Sequence, residues 1–241
     1  MKTTHNTVLI TGGTSGIGLA LAKRFLREGN KVIITGTNAA KAEEIKLQMP
    51  TVTIELADMR DRQALDKLAF NYSEVNILIN NAGIQYNYDF TDPGIAPKQM
   101  ETELDINLVS PLYLTKLFLP QLLSQPTAAI VNISSGLGIV PKQSAPVYCA
   151  SKAALHSFTK SLRWQLEGSS VKVFEIIPPI VDTAMTRGRG RGKISPEALV
   201  EEFWTDFARN RYEIRIGKTK LLFVLQRLMP AIAERIMRPG L

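Results

Sequence analysis

Tyr148 and Lys152 stand four residues apart in the run Tyr148-Cys149-Ala150-Ser151-Lys152. On one helix that spacing puts them on the same face, one turn apart. A phenol with an ordinary pKa of about 10 is a poor acid or base at neutral pH. An ammonium beside it favours the phenolate and brings that pKa toward the range of efficient general acid–base chemistry. A surface tyrosine with a solvated lysine has the same spacing, so the pair needs support from the elements around it.

Those elements alternate. Val8-Leu9-Ile10 suits a buried strand and ends at Thr11-Gly12-Gly13-Thr14-Ser15-Gly16-Ile17-Gly18. Leu19, Leu21, Ala22, Phe25 and Leu26 then recur at helical spacing up to Gly29. Strand, glycine-rich turn and helix form the context of a dinucleotide fingerprint, here spaced G-x-x-x-G-x-G at Gly12, Gly16 and Gly18. Glycines let the backbone approach a pyrophosphate, and the helix N-terminus offers free N–H groups and partial positive charge. Lys31–Thr35 reads as a second strand, followed by Gly36-Thr37-Asn38 and a helix over 39–49. No carboxylate stands at that strand end to bind a free ribose hydroxyl. Ser15, Thr37, Asn38 and Lys41 could receive a 2′-phosphate instead, so NADP is favoured over NAD.

Further strands are expected at Val52–Leu56, ending near Asp58, at Val75–Ile79, running into Asn80-Asn81-Ala82-Gly83, at Ala128–Ile133, leading to Ser134 and Ser135, and at Val171–Ile177. Helices fall between them: 62–71, 98–124 with bends or breaks at Pro111 and Pro120, and a long helix carrying Tyr148 and Lys152 to about Leu166. Asn107 lies inside the second of these, where an asparagine is usually exposed or caps a kink. Tyr212–Ile216 alternates like an edge strand and would make a seventh. This alternation predicts an α/β fold: a doubly wound parallel sheet of about seven strands with helices on both faces, with residues 1–241 in a single Rossmann domain. Ligands of such sheets bind beyond the carboxyl ends of the strands.

Composition excludes several functions. Cys149 is the only cysteine and His5 and His156 the only histidines, so no intrachain disulfide and no cysteine- or histidine-rich metal site is expected. No apolar run of spanning length occurs, and Met1–Thr7 is polar and unlike a signal peptide, so a cytoplasmic location is expected. The net charge of +7 is concentrated at the end: 17 basic and 16 acidic residues up to 186, then 12 basic and 6 acidic in 187–241. No nucleic-acid reading motif accompanies that charge, so no nucleic-acid partner is expected.

The ordered set TGGTSGIG (11–18), Asp58, NNAG (80–83), Asn107, NISS (132–135) and YCASK (148–152) resembles the short-chain dehydrogenase/reductase family over roughly residues 7–183. The wording is especially similar to the DltE-type bacterial subgroup, named for an operon of teichoic-acid D-alanylation, which supplies no substrate. The resemblance implies a carbonyl or secondary alcohol substrate and a catalytic set of Asn107, Ser135, Tyr148 and Lys152. Tyr148 would be the general acid or base, and Lys152 would lower its pKa and bind the nicotinamide ribose. Ser135 would polarise the substrate, in preference to Ser134, and Asn107 would hold a bent helix and a water leading from Lys152. The cofactor set would be Gly12, Thr14, Ser15, Gly16, Ile17, Gly18, Thr37, Asn38, Asp58, Met59, Asn80, Ala82, Gly83, Ile180 and Thr183, together with Tyr148 and Lys152. Asp58 would face the adenine and Thr183 the nicotinamide carboxamide. The resemblance also implies a homodimer or homotetramer built on helices around 98–124 and 146–166. One departure is Pro178-Pro179 where the family has Pro-Gly, which puts the chain path beside Thr183 in doubt.

After Thr183 the pattern weakens. Arg187, Arg189, Arg191 and Lys193 sit among glycines where relatives carry a substrate lid, and could attract an anion or simply stay solvated. Ser195-Pro196-Glu197 is a good helix start. Residues 218–237 form a wide apolar helical stripe interrupted by Pro230 and dotted with Lys and Arg. It needs cover: its own domain, a second copy, or an anionic membrane on which a basic amphipathic helix would lie. The competing functions are thus an NAD(P)-dependent alcohol dehydrogenase or ketone reductase, a cofactor-binding regulator without the chemistry, and a membrane-surface protein.

Overall fold

A computed structural model describes residues 1–240. The apolar runs become β1 (Thr7–Ile10), β2 (Lys31–Gly36), β3 (Thr53–Leu56), β4 (Ile77–Asn80), β5 (Ala128–Ile133), β6 (Val171–Ile177) and β7 (Glu213–Arg215). They pair in parallel throughout, in the order β3-β2-β1-β4-β5-β6-β7. The edge strand expected at Tyr212–Ile216 keeps three residues, 213–215. The helices are α1 (Gly16–Arg27), α2 (Ala39–Gln48), α3 (Arg62–Asn71), α4 (Pro97–Leu104), α5 (Ser110–Ser124), α6 (Pro146–Gln165), α7 (Pro196–Ala208), α8 (Thr219–Leu228) and α9 (Pro230–Met237). Among the described residues no helix is long and apolar enough to cross a membrane.

The period-two geometry of the strands sorts the core into two layers. Val8 and Ile10 face α1 and α7, where Phe25, Phe174, Phe203 and Phe207 pack. Leu9 and Ile33 face the other way, toward Phe118 of α5 and Leu162 of α6. Both faces are covered, which is why β1, β2 and β5 read as unbroken apolar runs. Strand order reverses between β1 and β4, and at that switch point the loops after the strands diverge and leave a crevice.

The helix expected over 98–124 is divided just before Pro111 but not at Pro120. A π-helical turn over Asp105–Val109 separates α4 from α5, and the Ser110 N–H reaches back to Asp105 O. Pro111 follows, with no N–H for the carbonyl of Asn107 one turn earlier. Pro120 lies inside α5, which runs on through it. Asn107, expected to be exposed or capping if merely structural, is fully buried in the widened turn.

Candidate active site

The glycine-rich turn is shaped by close approach. Gly12 has φ +63°, and a Cβ on it would stand 2.9 Å from Ala82 Cα. Thr11 Oγ1 accepts the N–H groups of Asn81 and Ala82 at 3.0 Å each, and the Asn81 amide donates to Thr11 O at 2.8 Å and Gly12 O at 3.1 Å. The ends of β1 and β4 are thereby locked together. Asn38, Asp61 and Ser195 cap α2, α3 and α7 with their side chains, but the N-cap Ser15 makes no such bond to α1. The first turn of α1 also has no acidic residue. Its N–H groups are left facing a cleft of about 1030 Å³ lined by Ser15, Gly16 and Ile17. An uncapped helix N-terminus opening on a cavity fits an anionic pyrophosphate.

Beyond the end of β2, Thr37, Asp58 and Met59 line the same cleft. Asp58 is gripped by Arg60, with Nε 3.1 and 3.2 Å from its two oxygens and a terminal nitrogen at 2.6 Å. The Arg60 hydrogen bonds hold the Asp58 carboxyl below the usual range. Arg60 thus adds a cation at the far end of the cleft that spacing arguments did not place there.

At the other end lie Ser135, Tyr148 and Lys152. Ser135 lies two residues beyond β5 and accepts the Leu137 N–H at 3.1 Å, which fixes its side chain. Its hydroxyl is close enough to the Tyr148 phenol to favour the phenolate, while the Ser134 hydroxyl bonds the Glu175 carboxylate. Lys152 Nζ donates to Ile133 O at 2.8 Å and lies 5.8 Å from the Tyr148 ring centroid. Asn107 Oδ1 accepts the Ile84 N–H at 2.9 Å, and its Nδ2 donates to Ile84 O at 2.8 Å. It therefore clamps the loop after Gly83, whose missing Cβ would stand 3.2 Å from Asn107 Oδ1 and 3.6 Å from Lys152 Nζ.

Spacing led to the expectation that Lys152 lowers the Tyr148 pKa, and in this structure the balance goes the other way. Burial pushes the phenol up to about 12, and the Ser135 hydroxyl and the Arg189 charge only partly offset it. Burial likewise brings Lys152 down to about 8. Desolvation disfavours the charged form of both groups and is the largest influence on each.

Four expected residues lie off the cleft surface. Asn80 ends β4 pointing into the interior, where its amide donates to Asn132 Oδ1 at 2.8 Å, and Asn81 takes the cleft position. Gly18 packs under the glycine turn, where a Cβ would meet Asn81 Nδ2 at 2.4 Å. Asn38 turns back to accept the Lys41 N–H at 3.0 Å. Asn107 acts from behind the wall through Ile84. The remaining expected residues, Gly12, Thr14, Ala82, Gly83, Ile180 and Thr183 among them, line the cleft. Thr183, after Pro178-Pro179, lines the cleft with its Cγ2 3.0 Å from where a Gly16 Cβ would be.

The outer wall comes from the divergent C-terminal part. Leu222, Ala233 and Met237 pack with Val140 in a small separate core, and Leu222, Leu225, Ile236 and Met237 present apolar surface to the cleft. Their own domain therefore covers one side of the stripe. Arg189, from the glycine-rich basic segment, reaches Asn87 Oδ1 at 3.3 Å.

A phosphate-accepting helix end and a Ser–Tyr–Lys cluster at opposite ends of one cleft have the layout of a site for a dinucleotide and a second reactant. The short chain dehydrogenase family model matches residues 6–193. DltE of Bacillus subtilis, described as an uncharacterized oxidoreductase, is 44% identical over 89% of each chain. An uncharacterized oxidoreductase of Staphylococcus epidermidis is 32% identical over 80% of this chain and 85% of its own. In fold, the chain matches a short chain dehydrogenase from Burkholderia cenocepacia in complex with NADP (TM-score 0.89, 24% identity, 99% and 100% of the two chains covered). It also matches one from Burkholderia phymatum in complex with NAD (TM-score 0.85, 21% identity, 100% and 98% covered). With the glycine turn, the first six strands of the sheet and the Ser–Tyr–Lys cluster all inside the matched region, the chain belongs to the short-chain dehydrogenase/reductase family of oxidoreductases.

Proposed function

We propose that the protein reduces a carbonyl compound to an alcohol, and runs the reverse oxidation, with NADP(H) as cofactor and Tyr148 as general acid or base. The observation that carries this reading is that Ser135, Tyr148 and buried Lys152, its Nζ 5.8 Å from the Tyr148 ring centroid, line one cleft with the uncapped N-terminus of α1. Bound nicotinamide supplies or accepts the hydride. Ser135 orients and polarises the carbonyl oxygen. Tyr148, held protonated at neutral pH by burial, donates its proton to that oxygen as the C–O⁻ charge develops. This protonation state suits reduction, and oxidation needs the phenolate and gains from rising pH. Lys152 bears a cation beneath the ring and Asn107 fixes the loop across from it. Ser15, Gly16 and Ile17 hold the pyrophosphate through backbone N–H groups. Thr37 leaves room for a 2′-phosphate, and Asp58, already occupied by Arg60, offers no competing charge to it.

The test is titration with NADPH and NADH, then turnover of a panel of ketones and aldehydes. Tyr148→Phe should lower turnover by about 10²- to 10⁴-fold, the usual contribution of a positioned acid, while NADPH binding persists. Wild-type-like turnover in that variant refutes the assignment, and tight cofactor binding with no turnover by the wild type favours the regulator.

Two partners belong to the same proposal. Leu123 on α5 and Trp164 on α6 are exposed, as a homo-oligomer built on those helices needs, and sedimentation would test it. Val224, Leu228 and Ile232 are exposed among Lys220, Arg227 and Arg235, which favours peripheral contact with an anionic membrane. Absence of binding to acidic liposomes at low salt would end that second reading.

A further inference from the structure

The cleft next to Tyr148 has two chemically different walls. One is the apolar surface of Leu222, Leu225, Ile236 and Met237. The other carries Lys142 and Arg189, whose side-chain nitrogens both donate to one neutral acceptor, Asn87 Oδ1, at 3.3 Å each. Among the described residues neither cation has an ion-pair partner, whereas Arg60 of the same cleft is paired with Asp58. The neighbouring carboxylate of Glu103 is fully buried, and its two oxygens are taken by the Tyr86 N–H and the Tyr88 hydroxyl. Lys142 bears the cost: burial, then the Arg189 charge, lower its pKa. Arg189 is also near enough to Tyr148 to favour its phenolate. Two cations gathered on a single amide oxygen beside the reacting groups form a site for an anion that Asn87 matches in position but not in charge.

We propose that the substrate is an anionic carbonyl compound with an apolar body. Its carboxylate or phosphate is bound by Lys142 and Arg189, and its hydrocarbon part lies along α8 and α9. This inference rests on the carbonyl-reductase reading for the word carbonyl, but the anion site itself does not.

Two measurements test it. The first compares eight-carbon oxo-acids bearing the ketone at successive positions with their own methyl esters, by NADPH oxidation. At least one acid should exceed its ester in kcat/KM by about tenfold, the ratio given by one good charge-assisted hydrogen bond. That ratio should fall toward one in the Lys142→Gln/Arg189→Gln double variant and at high salt. The second needs no turnover. Calorimetric titration of the full-length protein with octanoate, octyl phosphate and octan-1-ol should show the anions binding about tenfold more tightly than the alcohol. R189Q should remove the difference, and the tighter of the two anions identifies carboxylate or phosphate. Esters reduced as well as acids would overturn the anion site while leaving the hydride reading intact. Equal binding of octanoate, octyl phosphate and octan-1-ol, or anion binding unchanged in R189Q and in the double variant, would also overturn it. Arg189-dependent anion binding by a protein that reduces no carbonyl would support the site and refute the reductase.

Discussion

Lys152→Met should stabilise the protein while removing its turnover. Burial lowers the Lys152 pKa from 10.5 to about 8. At 1.36 kcal/mol for each pH unit between those values, holding the cation in the folded state costs about 3 kcal/mol. Lys152 is 4% exposed, so solvent screening takes little from that figure. The unfolded chain keeps the proton up to 10.5 and the folded chain releases it near 8, so the unfolded state binds more protons across that window and stability rises with pH through it. Below pH 8 the penalty is present in full. Methionine fills a similar volume without charge but leaves Ile133 O, 2.8 Å from Nζ, without its donor. Subtracting about 1 kcal/mol for that bond leaves a net gain of about 2 kcal/mol at neutral pH, or about 4–8 °C in Tm for a chain of this size. The assay is denaturant unfolding of wild type and variant at about pH 7 and about pH 10. Taking the difference between the two proteins cancels the groups they share. The gain should shrink toward zero or change sign at the higher pH. A variant less stable than wild type at neutral pH, or a gain with no pH dependence, would refute the claim that desolvation of Lys152 dominates this site.

Two other perturbations read different parts of the structure. Asn107→Ala removes both partners of the Ile84 backbone and should cost about 2 kcal/mol, with a larger loss in kcat than in cofactor affinity, measured by unfolding and NADPH titration. His156, on α6 one turn beyond Lys152, has its Nδ1 2.9 Å from both oxygens of buried Glu175, and that hydrogen bond raises its pKa. A raised pKa means stability fully present below about 6.5 and lost as pH rises through the folded value. His156→Leu should therefore cost about 2 kcal/mol near pH 6, between the values for exposed and buried pairs, and less near pH 8, as paired unfolding curves would show.

The parts of the site that depend on local spacing were legible in the sequence. Gly12, Gly16 and Gly18 announce a turn between a strand and a helix, and a four-residue interval puts Tyr148 and Lys152 on one face whatever surrounds the helix. What depends on the last residue of a strand was not. Asn80 and Asn81 are chemically identical, and only the register of β4 decides that the first points into the interior and the second to the glycine turn. Arg60 escaped because a turn, not a helix or strand period, folds it back on Asp58. The direction of the Tyr148 pKa escaped for a further reason. Proximity of a cation can be read from spacing, but the depth of burial that raises the phenol comes from the loops and helices packed over the site.

The C-terminal stripe shows why an apolar pattern alone does not name its partner. Leu221, Leu222 and Leu225 of α8 line the cleft, and Val224 and Leu228 on the same helix turn outward. A wide apolar face thus serves two surfaces at once. The inward one is tied to the chemistry by contact. A Cβ on Gly136 would stand 3.2 Å from both Leu222 Cδ2 and Thr219 Cγ2, so α8 presses on the turn that begins at Ser135. Thr219 Oγ1 in turn bonds Ile177 O at the end of β6 at 3.0 Å, anchoring α8 to the sheet. The segment whose sequence departs most from the family pattern therefore walls one side of the cleft and abuts the turn that holds Ser135. On the proposed reading, changes there that alter which carbonyl compound fits would also move Ser135, so substrate choice and turnover would be coupled through α8.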